Sequence, residues 1–527
     1  MPGLTQIDVN GYTVDDNIFS SDDLFDMSAG ATFVLLGLDS LTDDSFEGPG
    51  LARARGEITI YGALTLTDSA TFVNAFAVFQ NSGALNLNGS TIRNLSGWTF
   101  DSSYSYYPAI SASAGSQIVN LGEFQENGGE LSLNNSTMRN LGNGTWTLSD
   151  NAEISASGSS QFVNLGELDE TGDSSINGSF YDREGTLEID GVLQINFYGS
   201  PSITDRFTND TITGIGDFEL FYGVLNGATV STETTFLQNV RIAGNVGIFS
   251  GDVTLDDLSL GAGSDLSLRI EGANVTLADQ ISGGGEIDIL GDDSVSGPAT
   301  LVGAVTLENM GNSTFNGNSS LSTKPWTGHE VTIENNTAAT WTSTGSNSVF
   351  EQSAGAAGSS VFINNGTFVD SGGVTFDIAV MNDDVMQVNS PNLEHALNST
   401  LVFNNSINGT GQIDVGPGGV WFDDAVGSGQ IVNLDYTPGS IEPTLTIANP
   451  NLFAGTIAGF DQSGADEQML FGTSTWTYQD YVAGNGGGAL MFTNGSSEAA
   501  VDLSGSYDPS GFHASVIGAK TIITYST

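Results

Sequence analysis

Cysteine is absent from the 527 residues, and lysine occurs only twice, at Lys324 and Lys520. Without a thiol the chain has no disulfide framework, no thiolate zinc site and no cysteine nucleophile. Cations of either kind number 10 against 62 Asp plus Glu, a formal net charge of −52. Charged residues make up 14% of the chain, below the roughly 25% usual in soluble proteins. The imbalance therefore comes from missing cations more than from abundant acids. A nucleic-acid binder needs Lys and Arg to displace phosphate counterions, and an anionic membrane surface selects for the same residues. The composition predicts neither partner. The most apolar early run, Ala31–Leu38, falls far short of the ~20 residues of a membrane span. The opening Met1-Pro-Gly-Leu-Thr-Gln-Ile-Asp8 has no basic region, apolar stretch or small-residue cleavage site, so no secretory signal peptide is predicted.

What is present is repetition. Thr91-Ile-Arg-Asn-Leu95 returns as Thr137-Met-Arg-Asn-Leu141, and Gln117-Ile-Val-Asn-Leu-Gly-Glu123 returns as Gln161-Phe-Val-Asn-Leu-Gly-Glu167. A weaker copy, Phe72-Val-Asn74, precedes both. The unit is about 45 residues long, a period that points to a repeat architecture. Within it the apolar pattern has period two, as in Ala84-Leu-Asn-Leu-Asn88 and Glu130-Leu-Ser-Leu-Asn134. Gly, Asn, Asp and Ser clusters separate these short runs, and no segment carries a helical period over three turns. The pattern predicts an all-β chain, a right-handed parallel β-solenoid (β-helix) with about two coils per repeat. Sixteen to twenty coils are expected from the length, each adding ~4.8 Å. Residues 1–55 read as an acidic N-terminal leader or cap, 56–440 as the solenoid body and 441–527 as a C-terminal β-rich cap. Asn94, Asn120, Asn140 and Asn164 hold equivalent places, and inward asparagines at a coil corner would bond those above and below in a ladder.

The last 80 residues or so carry a resemblance. Phe453-Ala-Gly-Thr-Ile-Ala-Gly-Phe460, an acidic stretch from Asp461 to Glu467, Gly487-Gly-Ala-Leu-Met-Phe-Thr493, Val501-Asp-Leu-Ser-Gly-Ser-Tyr507 and Gly518-Ala-Lys-Thr-Ile-Ile-Thr524 follow in order. Together they resemble the C-terminal module of large secreted, β-strand-repeat proteins of proteobacteria, adhesin-like or surface-layer-like. The style of Val361-Phe-Ile-Asn-Asn-Gly-Thr-Phe368 resembles filamentous-haemagglutinin-like repeats. The resemblance implies export by type I secretion, whose signal is C-terminal. It places the chain at the bacterial cell surface or outside the cell.

For chemistry the acids come first. Adjacent pairs at turns can cluster the hard oxygen ligands that Ca²⁺ takes. Asp256, Asp257, Asp292, Asp293, Asp383, Asp384, Asp423 and Asp424 are the candidate ligands, and calcium the candidate cofactor. In a strand such neighbours point to opposite faces, so a doublet there aims one carboxylate at most. Gly261-Ala-Gly-Ser-Asp265 and Gly283-Gly-Gly-Glu-Ile-Asp288 are isolated fragments of a calcium-binding nonapeptide, not a tandem array. His329, His395 and His513 stand apart with no partner spacing and read as incidental. No Ser/His/Asp order, phosphate loop or metal motif occurs, and no catalytic residue is predicted. Trp98, Trp146 and Trp341, and the cluster Tyr104-Ser-Tyr-Tyr107, read as packing residues before sugar contacts. The expected function is a non-enzymatic, extracellular structural or adhesive solenoid that self-associates into a surface layer, matrix or filament and contacts cell-surface glycans. The alternative is a glycan-binding or glycan-cleaving β-helix, tailspike-like, which requires three or more acids or aromatics clustered in a groove on one parallel sheet.

Overall fold

The computed structural model describes the chain apart from residues 1–5, 10–12, 17–18, 37–38, 82, 102–108, 150, 197–205, 273, 292, 317–319, 345–347, 390–399, 435–441, 461–467, 473–475, 519 and 527. The Tyr104–Tyr107 cluster, Asp292, His395 and the acidic stretch Asp461–Glu467 lie outside the described residues. Strand accounts for 66% of the protein and helix for 1%, in stacked parallel coils that form a β-solenoid of about 18 turns. No helix among the described residues is long and apolar enough to cross a membrane. The chain divides into two compact units, Met1–Asp252 and Val253–Thr527.

In the first unit each coil supplies three short strands, and each strand pairs in parallel with the one three strands on. Leu85–Asn88 pairs with Ala109–Ser113, which pairs with Glu130–Asn134. Thr91–Asn94 pairs with Gln117–Asn120, which pairs with Thr137–Asn140. Strands Gln6–Val9 and Thr13–Asp16 already stack on Leu24–Met27 and Thr32–Leu35, so the coils begin inside the acidic leader. Side chains alternate because successive strand residues face opposite ways: Ile92 and Asn94 are buried while Arg93 is exposed. The inward aromatics stack through the interior. Phe72, Trp98, Phe124, Trp146 and Phe162 follow one another with ring centroids 4.1–6.0 Å apart. Burying each such ring contributes about 1.5–3 kcal/mol, and repetition over the coils makes this the main cohesive term.

The asparagine ladder is present. Asn74 Nδ2 donates to Asn94 Oδ1, Asn94 to Asn120, Asn120 to Asn140 and Asn140 to Asn164, each at 2.7–2.8 Å. The second Nδ2 hydrogen meets a carbonyl of the following strand, such as Gly97 or Thr145. The amides of the ladder are thus satisfied, which is what lets a polar residue occupy the core. The ladder also explains the repeat period. Successive rungs lie 20, 26, 20 and 24 residues apart, so two coils together give the 46- and 44-residue shifts seen in the sequence.

The second unit repeats the scheme with its own ladder, Asn309 to Asn335 to Asn364 to Asn382, ending on Gln430. Parallel pairing continues through Thr444–Ile447, Thr456–Ala458 and Gln468–Phe471. Beyond that the pairing turns mostly antiparallel, although Thr456–Ala458 still takes Glu498–Ser504 in parallel. Gln468–Phe471 takes Lys520–Tyr525 on one side, and Thr477–Gly484, Gly487–Thr493 and Glu498–Ser504 form a meander. Pairing that strand covers an edge that would otherwise template further strands.

Candidate functional site

In the second unit, strand Asn274–Ile289 runs parallel to Ala299–Asn309 in unbroken register from Asp279↔Ala299 to Ile289↔Asn309. Two glycines face each other in that register, Gly283 and Gly303. Both have positive φ, +124° and +106°, and a Cβ would lie 2.0 Å from Leu260 O at the first and 2.4 Å from Gly283 O at the second. Only glycine fits such a backbone, and the result is a flat shelf. The turn Trp326–His329, closed by His329 N donating to Trp326 O at 3.0 Å, holds an indole against it. Trp326 Cε2 and Cη2 lie 3.2 Å from where a Gly303 Cβ would be. The ring is 49% exposed, and the His329 imidazole meets it edge-on at 6.1 Å. These groups, with Glu286 and Thr306, line a groove of about 740 Å³, within the ~300–1,000 Å³ range of small-ligand sites.

At the end of the groove the register stacks acids. Asp288 pairs with Glu308, and Glu308 with Glu334. Glu286, Asp288 and Glu308 each offer an oxygen within 4.8 Å of the others. Asp288 is buried; Oδ2 accepts from Ser267 Oγ at 3.0 Å and faces Arg269 Nε at 3.7 Å. Its Oδ1 has no hydrogen-bond partner among the described residues. Asn336 Nδ2 donates to Glu308 Oε1. Desolvation, a hydrogen bond with Glu286 and the charges of Glu286, Glu334 and Asp288 push the Glu308 carboxyl up to about 8. Burial and Glu286 also raise Asp288, against the pull of Ser267 and Arg269. Like charges this close cannot all ionise, so near neutral pH the group retains a proton. Such a set can hold a hard cation or hand a proton to a bound oxygen.

Compared with family models, curated proteins and solved structures, the chain matches none.

The acids singled out in the sequence fall in several places. Asp256 and Asp257 join Asp279 with carboxylate oxygens inside 4.8 Å. The doublet converges because Asp257 sits at φ 50° and Asp279 at φ 48°, which breaks strict strand alternation. This trio and the Glu286 group are the described acids arranged to hold a metal. Asp293 is buried and receives Gly272 N and Gly291 N, fastening a loop. Asp383 caps a turn through Thr410 N at 2.9 Å, and Asp424 accepts from Ala425 N at 2.8 Å. Asp384 and Asp423 are exposed. None of these five gathers with two other acids among the described residues. Trp98, Trp146 and Trp341 are core residues at 0–2% exposure. The sequence did not single out Trp326, Glu286 or Glu308 as site residues. Its one pointer was the glycine triplet at 283–285, read there as a calcium-repeat fragment.

Proposed function

We propose that the chain is an extracellular adhesive β-solenoid that grips glycan in the Trp326 groove. The observation carrying this is the half-exposed indole laid over a glycine shelf beside Glu286, Asp288 and Glu308. A flat aromatic face takes the apolar face of a sugar ring, and nearby carboxylates accept from its hydroxyls. The extracellular setting rests on the composition and on the C-terminal resemblance. Self-association belongs to the same reading: outward acids keep coils soluble, and divalent cations at the Asp256 and Glu286 groups would neutralise them and favour layers or filaments. Titration calorimetry with neutral oligosaccharides tests the groove. Binding lost in Trp326→Ala supports the reading, and equal binding by that variant refutes it.

A second reading has its own support. Glu286, Asp288 and Glu308 bring carboxylate oxygens within 4.8 Å of one another with one group kept protonated, an acid beside a carboxylate as glycoside hydrolysis needs. On that reading Glu308 donates to the glycosidic oxygen and Glu286 acts on the sugar. Release of reducing ends, abolished in both Glu286→Gln and Glu308→Gln, would replace adhesion by hydrolysis.

A further inference from the structure

The scarcity of cations makes their placement informative. Of the eight arginines, seven lie in the first unit, and five of them share one outward column. The parallel register carries Arg53 onto Val73, Val73 onto Arg93, Arg93 onto Val119 and Val119 onto Arg139. It continues through Val163 and Tyr181 to Arg206, then through Val224 to Arg241. At ~4.8 Å per coil, arginines separated by one valine stand ~10 Å apart, Arg139 and Arg206, separated by Val163 and Tyr181, ~14 Å, and the column spans roughly 43 Å.

From Val73 to Val163 the columns on either side are uncharged, while Arg55 and the Arg183–Glu184 ion pair lie beside its other parts. On one flank the register stacks Thr71, Thr91, Gln117, Thr137 and Gln161. On the other, each inward asparagine is followed by Leu95, Leu121, Leu141 or Leu165, with Leu95 40% exposed. None of the five arginines has a carboxylate within 4.0 Å among the described residues. The Nε atoms of Arg53 and Arg206 are buried without a hydrogen-bond partner there. Between Arg139 and Arg206 the column opens into a groove of about 500 Å³ with Tyr181, Val163, Leu141 and Leu165 on its walls.

The geometry points to this column as a binding site for a linear acidic polysaccharide, one that bears a carboxylate every few sugar units. Guanidinium forks pair with carboxylates, and the valine, leucine and tyrosine surfaces between them suit the apolar faces of sugar rings. The net charge of −52 does not forbid this, because at physiological salt only charges within ~8 Å are felt strongly and the columns flanking Val73 to Val163 are uncharged. Charge density selects the polymer. Duplex DNA carries a charge every ~1.7 Å of axis, several times what cations ~10 Å apart can neutralise, whereas a chain with a uronate at alternate sugars matches them. A second copy of this chain would bring its own 62 acids against a partner of equal net charge, which disfavours it.

The site is separate from the Trp326 groove and stands whether or not that groove holds sugar. Its test is titration of the full chain with hyaluronan oligomers, which carry a carboxylate on alternate sugars, with unsubstituted cellulose oligomers and a DNA duplex as comparators. The hyaluronan uronates should bind, cellulose oligomers and DNA should not, and affinity should fall as salt rises. Arg139→Gln with Arg206→Gln should weaken uronate binding about tenfold, as expected for two exposed ion pairs. Lys520→Gln, which removes a cation seated over Trp421, should not. Equal loss in the lysine variant, no uronate binding, or tighter binding of DNA overturns the proposal. So does a change in sedimentation of the arginine variant without a change in uronate affinity, which would make a second copy the occupant.

Discussion

Glu126 is a carboxyl placed where a hydrocarbon would be expected. Its strand partners are Phe100 and Leu148, and it is fully buried. Neither oxygen has a hydrogen-bond partner among the described residues. Desolvation pushes its pKa up to about 8. The native state therefore binds this proton more tightly than the unfolded chain does. The associated stability is fully present below the unfolded value near 4.5, is lost as pH rises towards 8, and changes no further above it. At ~1.4 kcal/mol per unit, the loss is about 3 kcal/mol by pH 7 and roughly 5 kcal/mol at pH 8 and above. Glu126→Gln removes the titration and keeps the shape. Solenoids unfold locally, so amide exchange of Gly97–Asp101, Glu123–Asn127 and Thr145–Ser149 is the suitable assay. Corrected for intrinsic rates, the variant should gain two to three orders of magnitude of protection relative to wild type between pH 4.5 and 7. The amide's own burial adds an offset that does not vary with pH. A difference between the two proteins that stays constant from pH 4.5 to 8.5 refutes the reasoning.

Other expectations concern the ladder, the groove and the acids. Asn120→Ala strips partners from Asn94, Asn140 and the Thr145 carbonyl, and at about 1–3 kcal/mol per orphaned group should cost ~3 kcal/mol or more of local stability; a loss below about 1 kcal/mol in amide exchange would contradict the ladder's role. Trp326→Ala should leave the melting temperature within a degree or two while weakening oligosaccharide binding about tenfold, since half the ring already faces solvent and an exposed aromatic contributes mainly to its ligand. Millimolar Ca²⁺ should raise the melting temperature and particle size, and EDTA should reverse both; no response in either, or the same response in Asp257→Asn with Glu308→Gln, would remove calcium from the account.

Much of the fold was legible because strand alternation and the asparagine ladder both write themselves into sequence. An inward Asn must return at the same register on each coil, so Asn74, Asn120 and Asn164 mark the period even as flanking residues drift. Trp98 and Trp146, read from the sequence as packing residues, sit buried at inward positions of their strands. The groove was not legible. Trp326 is a single residue with no repeat, and its partners Glu286 and Glu308 come from strands joined only by register. The doublet rule failed at Asp256 and Asp257 because a positive φ turned what alternation would have separated. The arginine column was hidden by uneven coils. From Arg139 to Val163, Tyr181 and Arg206 the steps are 24, 18 and 25 residues, so no fixed period connects them.

The same unevenness changes how net charge should be read. A whole-chain sum of −52 excludes polyanions only if a bound polymer feels the whole chain, and screening confines it to the charges within ~8 Å. In a solenoid those charges are set by one register column and its two neighbours, drawn from residues scattered over nearly two hundred positions. An acidic chain can therefore present a cationic line, provided its few arginines all fall on the same outward position. Here five of eight do, with uncharged residues on either side of the stretch from Val73 to Val163. Selection against lysine elsewhere then has a physical consequence: every cation left off the other faces sharpens the contrast of this one. The acidic exterior keeps the stack soluble and repels densely charged polymers, while the arginine line admits only those sparse enough to match its ~10 Å spacing.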